Sequence, residues 1–319
     1  MGSICMFKGN NLEDMKKVYP IKTLFEVGHA DYAFNNINYP EGVKPRGSIW
    51  PFGLYICPKT HRFFVFFHNE TGWNGKGSGY DSKGYCETPY FDTDFRHIGL
   101  MHSDDEGKTW LFDRWVITSE EPCFSELFHP EGFIGVGQSS EILSTGSGDF
   151  TTYIENDYLY IFYNIIRTNA NNLWWESCNT YVARTRLKED GTMGDFVKYY
   201  KGAFTEPGNM GKESPISSNT WHSRIIYSEH DGYYYMAYNP VQPHVKTYVL
   251  ADKLVIKKSR NLFEWDNATK VEIDEEIHGH YFTIVPANVM DNPFVNKTNK
   301  FSVLISGSAL DVKGFDIEI

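Results

Sequence analysis

Helical periodicity is almost missing from this sequence. Only residues 10–18, NNLEDMKKV, repeat apolar residues at helical spacing, so one short helix is expected there. A helical bundle and an alternating α/β fold are therefore excluded. Positive charge is also scarce: 30 Lys and Arg stand against 41 Asp and Glu, for a net charge of −11. A nucleic-acid binder or a protein docking on an anionic membrane needs the opposite balance, so neither partner is expected. No run of about 18 apolar residues occurs, and no membrane-spanning helix is expected. The five cysteines, 5, 57, 86, 123 and 178, are odd in number and show no C-x-x-C spacing. Neither a disulfide framework nor a zinc site is expected from them, and no cofactor is implied. The opening residues MGSICMFKGNNLEDMKK lack the apolar core of a secretory signal. The expected location is cytoplasmic, or outside the cell if a leader has been cut away ahead of Met1.

What is abundant is aromatic: Phe, Trp and Tyr make up 16% of the 319 residues. They concentrate in strand-like runs such as RFFVFFHN, DYLYIFYN and GYYYMAYN, divided by Gly, Asn, Asp and Pro turns. Aromatic and β-branched residues suit a pleated, half-buried surface, so the chain reads as all-β. Core packing explains most of them, and aromatic faces also match the C–H faces of sugars.

Three segments align as repeats. FGLYICPKTHRFFVFFHN at 52–69 leads to HIGLMHSDDEGKTW and FDRWVIT. DFTTYIENDYLYIFYN at 149–164 leads to CNTYVARTRLKEDGTMGDF and VKYYKGAF. HSRIIYSEHDGYYYMAYN at 222–239 leads to DKLVIKKSRNLFEW and ATKVEI. Each reads strand, turn, aromatic strand ending in Asn, longer loop, strand, turn, strand. A fourth unit begins at YFTIVPANVMD and runs through KFSVLISGS. A repeated four-stranded meander of about 70 residues is the pattern of a propeller blade. No linker divides the chain, so residues 1–319 are expected to form one β-propeller domain of five blades, with 1–20 as an N-terminal extension.

Within the first unit, SDDEGKTW at 103–110 predicts a stapled hairpin. Asp105 can accept from downstream backbone N–H groups, Gly107 can take positive φ, and Trp110 can pack on the turn. SRNLFEW at 259–265 is a decayed counterpart, with Ser259, a turn and Trp265. The first motif resembles the Asp-box hairpin, S-x-D-x-G-x-T-W, of sialidases and other β-propellers, where its role is structural. Asp104, Asp157, Asp190 and Asp231 are likewise read as turn residues.

The repeats, the S-x-N-L-x-x-W hairpin and the G-Y-Y-Y strand resemble the five-bladed propeller glycoside hydrolases. That group includes arabinanases, xylosidases, fructan-cleaving enzymes and mannoside phosphorylases. The resemblance implies a funnel at the ring axis where acidic residues grip a sugar, and an oligo- or polysaccharide substrate. The group opens its first blade on an Asp-Pro dipeptide, which this chain lacks; Asp31 in HADYAF stands near that place. KESPI at 212–216 resembles the Glu-x-Pro phrase that carries the general acid, with Glu213 in that position. Glu141 in SSEIL and Asp149 in GSGDF lie near the entry of another inner strand. These four are the candidate catalytic carboxylates.

Glycoside hydrolysis needs two carboxyl groups across the scissile bond, one giving a proton and the other activating water or attacking the sugar. Candidate substrate-binding residues cluster in two phrases. In NTWHSRIIY, Trp221 can floor a subsite, and His222 and Arg224 share a face of an extended strand. In LWWES, Trp174, Trp175 and Glu176 can wall one, with at least one Trp in the core. IHGHYF adds His280 beside His278, as hydrogen-bonding groups rather than metal ligands, since no third ligand is spaced to join them. Arg46, ahead of the first unit, suggests a rival: with Arg224 and Arg96 it could imitate the carboxylate-holding arginines of sialidases. Further alternatives are a phosphorylase, with His222 and Arg224 binding phosphate, and a non-catalytic carbohydrate-binding propeller.

Overall fold

The structure is a computed structural model. It describes residues 5–10, 14, 16–20, 48–71, 95–118, 128–129, 132–133, 142–169, 175–243, 253–273, 276–279, 281–287, 292–306 and 312–319. Among them there is no helix. Of the stretch 10–18 expected to be helical, residues 16–18 lie instead in β2 (Lys16–Pro20), which pairs antiparallel with β1 (Cys5–Lys8), Lys8 opposite Lys16. A lone amphipathic stretch this short is a marginal helix, and strand pairing wins. Asp14 serves the turn instead, accepting from the Asn10 backbone N–H at 2.7 Å.

The repeated meanders are present. The first comprises β3 (Ser48–Ile56), β4 (Phe63–Thr71), β5 (Phe95–Ser103) and β6 (Leu111–Ile117). After the short β7 (Phe128–His129) and β8 (Gly132–Phe133) comes the second: β9 (Ile142–Glu155), β10 (Tyr158–Asn169), β11 (Trp175–Arg186), β12 (Val197–Tyr200) and β13 (Ala203–Pro207). The third is β14 (Thr220–Ser228), β15 (Tyr233–Pro240), β16 (Val255–Ser259) and β17 (Thr269–Val271). The fourth holds β18 (Phe282–Pro286), β20 (Lys300–Ser306) and β21 (Val312–Glu318), while the intervening β19 (Val295–Asn296) pairs back in parallel onto β14. Within each unit successive strands pair antiparallel. A single parallel pair, Arg96 opposite Gly146, joins the first two units into one continuous sheet.

Separate cores lie between successive units. Phe64, Phe66, Ile98, Phe150, Leu159, Ile161 and Tyr163 fill the first. Tyr160 and Phe162 point from the other face of β10 into the second, with Tyr153, Ile225, Met236 and Trp265. Tyr235, Ala237 and Ile256 face a third, with Phe282, Ile284 and Phe301. Because β10 and β15 are buried on both faces, their sequences read as continuous aromatic runs rather than alternating ones. Each large side chain so buried contributes on the order of 1.5–3 kcal/mol.

The SDDEGKTW turn closes as its sequence predicts. Asp105 Oδ1 accepts from the Thr109 backbone N–H at 2.8 Å and from Ser103 Oγ at 2.7 Å, Gly107 has φ +87°, and Trp110 is buried. Ser259 repeats part of the device, its Oγ accepting the Asn261 N–H at 3.0 Å ahead of the buried Trp265.

Candidate functional site

The site is made by bulges. Along β9 and β10, Phe162 pairs with Thr151, but Asn164 pairs with Gly148, so Asp149 and Phe150 stand against one residue, Tyr163. Along β14 and β15, Ala237 pairs with Arg224 and Asn239 with Trp221, so His222 and Ser223 stand against Tyr238. The leading residue of each bulge is left-handed: Asp149 at φ +42° and His222 at φ +56°. Tyr281, immediately before β18, is left-handed too, at φ +52°. Side chains rarely tolerate this conformation, and bulges re-aim the side chain they carry.

An asparagine clamps the last two of these steps. Asn164, the Asn ending the second unit's aromatic phrase, donates from Nδ2 to Thr220 O at 2.7 Å and accepts the His222 N–H on Oδ1 at 2.9 Å. Asn239, its counterpart in the third unit, donates to Gly279 O at 3.1 Å. Each grips the carbonyl two residues ahead of the next unit's left-handed residue.

The three left-handed side chains meet. His222 Nε2 lies 3.7 Å from Asp149 Oδ1, and the His222 ring lies 4.9 Å from the Tyr281 ring. Asp149 is 4% exposed. Its Oδ2 accepts from Arg96 Nη1 at 2.7 Å and from Trp221 Nε1 at 3.0 Å. Its Oδ1 faces His222 and, at 3.8 Å, His68 Nδ1, both beyond hydrogen-bond length. Burial would push this carboxyl up, but Arg96, then His222 and His68, hold it well below the ordinary carboxylate range. His68 Nδ1 accepts the Asp149 backbone N–H at 2.9 Å, which places the ring proton on Nε2. Burial keeps that imidazole neutral, pulling it down to about 3 against the pull of Asp149.

Gly148 makes the approach of Arg96 geometrically available. A Cβ there would sit 2.4 Å from Arg96 Cδ and 3.1 Å from His68 Nδ1. Arg224, on β14, is also buried, with its guanidinium 5.9 Å from the Phe52 ring centre. Burial pulls it down to about 10, opposed by Asp149 and Tyr281, so it remains charged at neutral pH. Phe52 and the exposed Tyr281 stack at 6.4 Å and form the aromatic rim of the site.

Glu213 belongs to a second network. Its Oε2 accepts from Tyr163 Oη and lies 3.0 Å from Lys198 Nζ. Lys198 is fully buried and donates as well to Thr118 O and Gly211 O, at 2.8 and 2.9 Å. Tyr163 is also the residue facing the Asp149 bulge, so β10 touches both networks.

Of the residues expected from sequence, Asp149, Trp221, His222 and Arg224 come together. Trp221 is nearly buried, stacked on His222 at 4.0 Å and edge-on to Trp175 at 5.3 Å. Trp175 is buried in a small core with Ile166, Cys178 and Val241, and Glu176 is half-buried at the start of β11. Asp31, Arg46, Glu141, Trp174 and His280 lie outside the described residues. His222 and Arg224 reach one region through the bulge, and not by simple alternation along a strand. Sequence reasoning passed over His68, Phe52, Asn164 and Tyr281 as site residues. The repeat alignment held a signal for one of them: the Asn closing each aromatic phrase.

No protein-family model matches the chain, and no curated protein does. Carbohydrate-active enzymes are among the solved structures that it resembles. One is a family 117 glycoside hydrolase of the marine bacterium Zobellia galactanivorans, at 14% identity, over 88% of this chain and 69% of that one, with a TM-score of 0.49. Another is the β-1,2-mannobiose phosphorylase of Listeria innocua, at 10% identity, over 88% and 74% of the two chains, with a TM-score of 0.46. A third is an α-L-arabinofuranosidase of Fusarium graminearum, at 13% identity, over 81% and 58%, with a TM-score of 0.41.

Proposed function

We propose that this protein is a glycoside hydrolase acting on an oligo- or polysaccharide, built as a five-bladed β-propeller with its reaction centre at Asp149. The observation that carries the reading is the convergence of Asp149, His222 and Tyr281 from equivalent positions of three successive units. Strained backbone at residues whose side chains converge is a feature of functional sites.

Glycoside cleavage divides its work between an ionised carboxylate and a protonated group. Asp149 fits the first role. Arg96 keeps it ionised, and Oδ1 is the oxygen left to receive a proton from water or to meet the sugar. It does not fit the second role, because a carboxyl held this low has no proton to give at neutral pH. The donor on this reading is another group. Glu213 is paired to the buried Lys198 at 3.0 Å, which favours its ionised form as well, so the donor is sought in Glu141 or Asp31, beyond the described residues. Phe52 and Tyr281 supply the apolar face on which a sugar ring stacks.

The test is sugar release from a panel of aryl glycosides and polysaccharides, with and without inorganic phosphate. Wild type is compared with Asp149→Asn, Glu213→Gln, Glu141→Gln and Asp31→Asn. Release without phosphate, reduced about 10²–10⁴-fold by Asp149→Asn, is the expected result. Release only with phosphate would make the enzyme a phosphorylase. No release from any substrate, with glycans still bound in a calorimeter, would make it a binding propeller.

A further inference from the structure

The clamp position of the first unit carries a ring. Phe64 and Phe66 of β4 point into the core between the first two units, Tyr160 and Phe162 of β10 into the next, and Tyr235 and Ala237 of β15 into the third. The residue that follows on each of these faces is His68, Asn164 and Asn239. The ladders give the same correspondence. His68 lies opposite Trp50, Asn164 opposite Gly148 and Asn239 opposite Trp221, and each of those partners immediately precedes a two-against-one step. His68 is thus the first unit's counterpart of the two asparagines, one residue ahead of the Asn69 that ends the phrase in sequence.

Its contact repeats that of Asn164. Asn164 Oδ1 accepts the N–H of the left-handed His222 at 2.9 Å, and His68 Nδ1 accepts the N–H of the left-handed Asp149 at 2.9 Å. The two acceptors are equivalent in the covalent skeleton, since Asn Oδ1 and His Nδ1 each hang one bond beyond Cγ. Where asparagine has its donating nitrogen, imidazole has a carbon, so this clamp holds the N–H alone. The ring is buried and neutral, which keeps Nδ1 an acceptor. We propose that His68 is the positioning residue of Asp149, fixing its left-handed backbone so that the carboxylate meets Arg96 and Trp221 and turns Oδ1 to the site. A left-handed aspartate is sparsely populated without support, so loss of the clamp lets the peptide turn and the carboxylate with it. As a role in catalysis this rests on the glycoside-cleaving reading; as a backbone clamp it stands apart from it.

The experiment compares the full chain of wild type with His68→Asn, His68→Gln and His68→Leu. Asparagine returns an acceptor one bond beyond Cγ, glutamine carries its acceptor one bond too far, and leucine has none. Hydrogen exchange of the Asp149 amide is read by NMR, with melting temperatures and, on a substrate that the glycoside panel identifies, kcat and KM. The amide is expected to exchange about tenfold or more faster in His68→Gln and His68→Leu, as a lost buried hydrogen bond requires, and close to the wild-type rate in His68→Asn. In the same two variants kcat should fall about tenfold or more with KM little changed, and His68→Asn should recover most of that loss. Should His68→Leu not fold, the comparison of Asn with Gln decides. A His68 that only fills space would order the variants by size instead, with Gln ahead of Asn in amide protection and melting temperature. That order, or an Asp149 amide as protected in His68→Leu as in wild type, overturns the inference. The expected order in a protein that releases no sugar upholds the clamp and tells against the glycoside-cleaving reading alone.

Discussion

Asp149 and His222 occupy the same step of successive units. Each leads a two-residue bulge, each is left-handed, and each bulge stands against one tyrosine of the next strand, Tyr163 or Tyr238. Their side chains nonetheless differ in charge and chemistry, and they end 3.7 Å apart. The site is therefore a product of backbone repetition with side-chain divergence, and this leads to four expectations.

Gly148→Ala should damage the site without touching a functional group. The new Cβ would overlap Arg96 Cδ at 2.4 Å, so the arginine must move off Asp149. We expect a stability loss of about 1–3 kcal/mol, typical of overpacking. Catalysis or ligand binding should be lost further than stability accounts for. Urea unfolding together with turnover checks this, and an unchanged Asp149-dependent activity would contradict the geometry.

Asn164→Ala should uncouple the second unit from the third. It removes the Asn164 donor from the Thr220 carbonyl, leaving it only the weak Cys178 thiol, and takes the acceptor from the His222 N–H, a cost of about 1–3 kcal/mol. Asn164→Asp should be at least as harmful, because an oxygen replaces the amide that donates to Thr220. Hydrogen exchange should show faster opening around 220–222 in both variants.

Lys198→Met should be strongly destabilising, by about 3–5 kcal/mol, because it strands Glu213 in a buried pair. Lys198→Met with Glu213→Gln should recover much of that loss. A double-mutant cycle on unfolding free energies measures the coupling. Strict additivity would mean that the 3.0 Å pair contributes nothing.

Acid should destabilise the fold well above the carboxylate range. His68 and His97 are both held neutral by burial, each down to about 3. The unfolded chain takes up protons at both rings as pH falls below about 6.5, and the native state does not until about 3. Stability is thus fully present above 6.5 and falls with acid through that window, by up to about 1.4 kcal/mol per pH unit for each ring. Below about 4 the depressed Asp149 adds a loss of the same sign. Denaturation midpoints from pH 7 to 4 check this, and a flat profile would refute the buried neutral histidines.

The repeats were legible because β10 and β15 are buried on both faces, which leaves aromatic runs that no surface strand would carry. The stapled turn was legible because Ser103, Asp105, Gly107 and Trp110 each have a local reason to sit at their offsets. The helix at 10–18 was misread because pairing with β1, a contact set outside the segment, decides its state. Asp149, His222 and Arg224 could be singled out by type, but their meeting could not be read. A bulge breaks the alternation from which facing is inferred, and nothing local marks where it falls. Tyr281 looked like one more core aromatic, and His68 like the polar end of an aromatic strand. Arg96 entered only as one arginine of a sialidase-like set, and its partner Asp149 lies 53 residues away.

The asparagine clamp has a further consequence. Asn164 and Asn239 hold the neighbouring backbone by its carbonyl, and Asn164 also by an N–H, so they constrain the position without reading the side chain there. Each clamp thus offers a socket whose shape is fixed by main chain and whose occupant is free to change. A histidine and a tyrosine already fill two such sockets. A lineage built on this plan can exchange its chemistry one unit at a time, and keep its architecture while doing so.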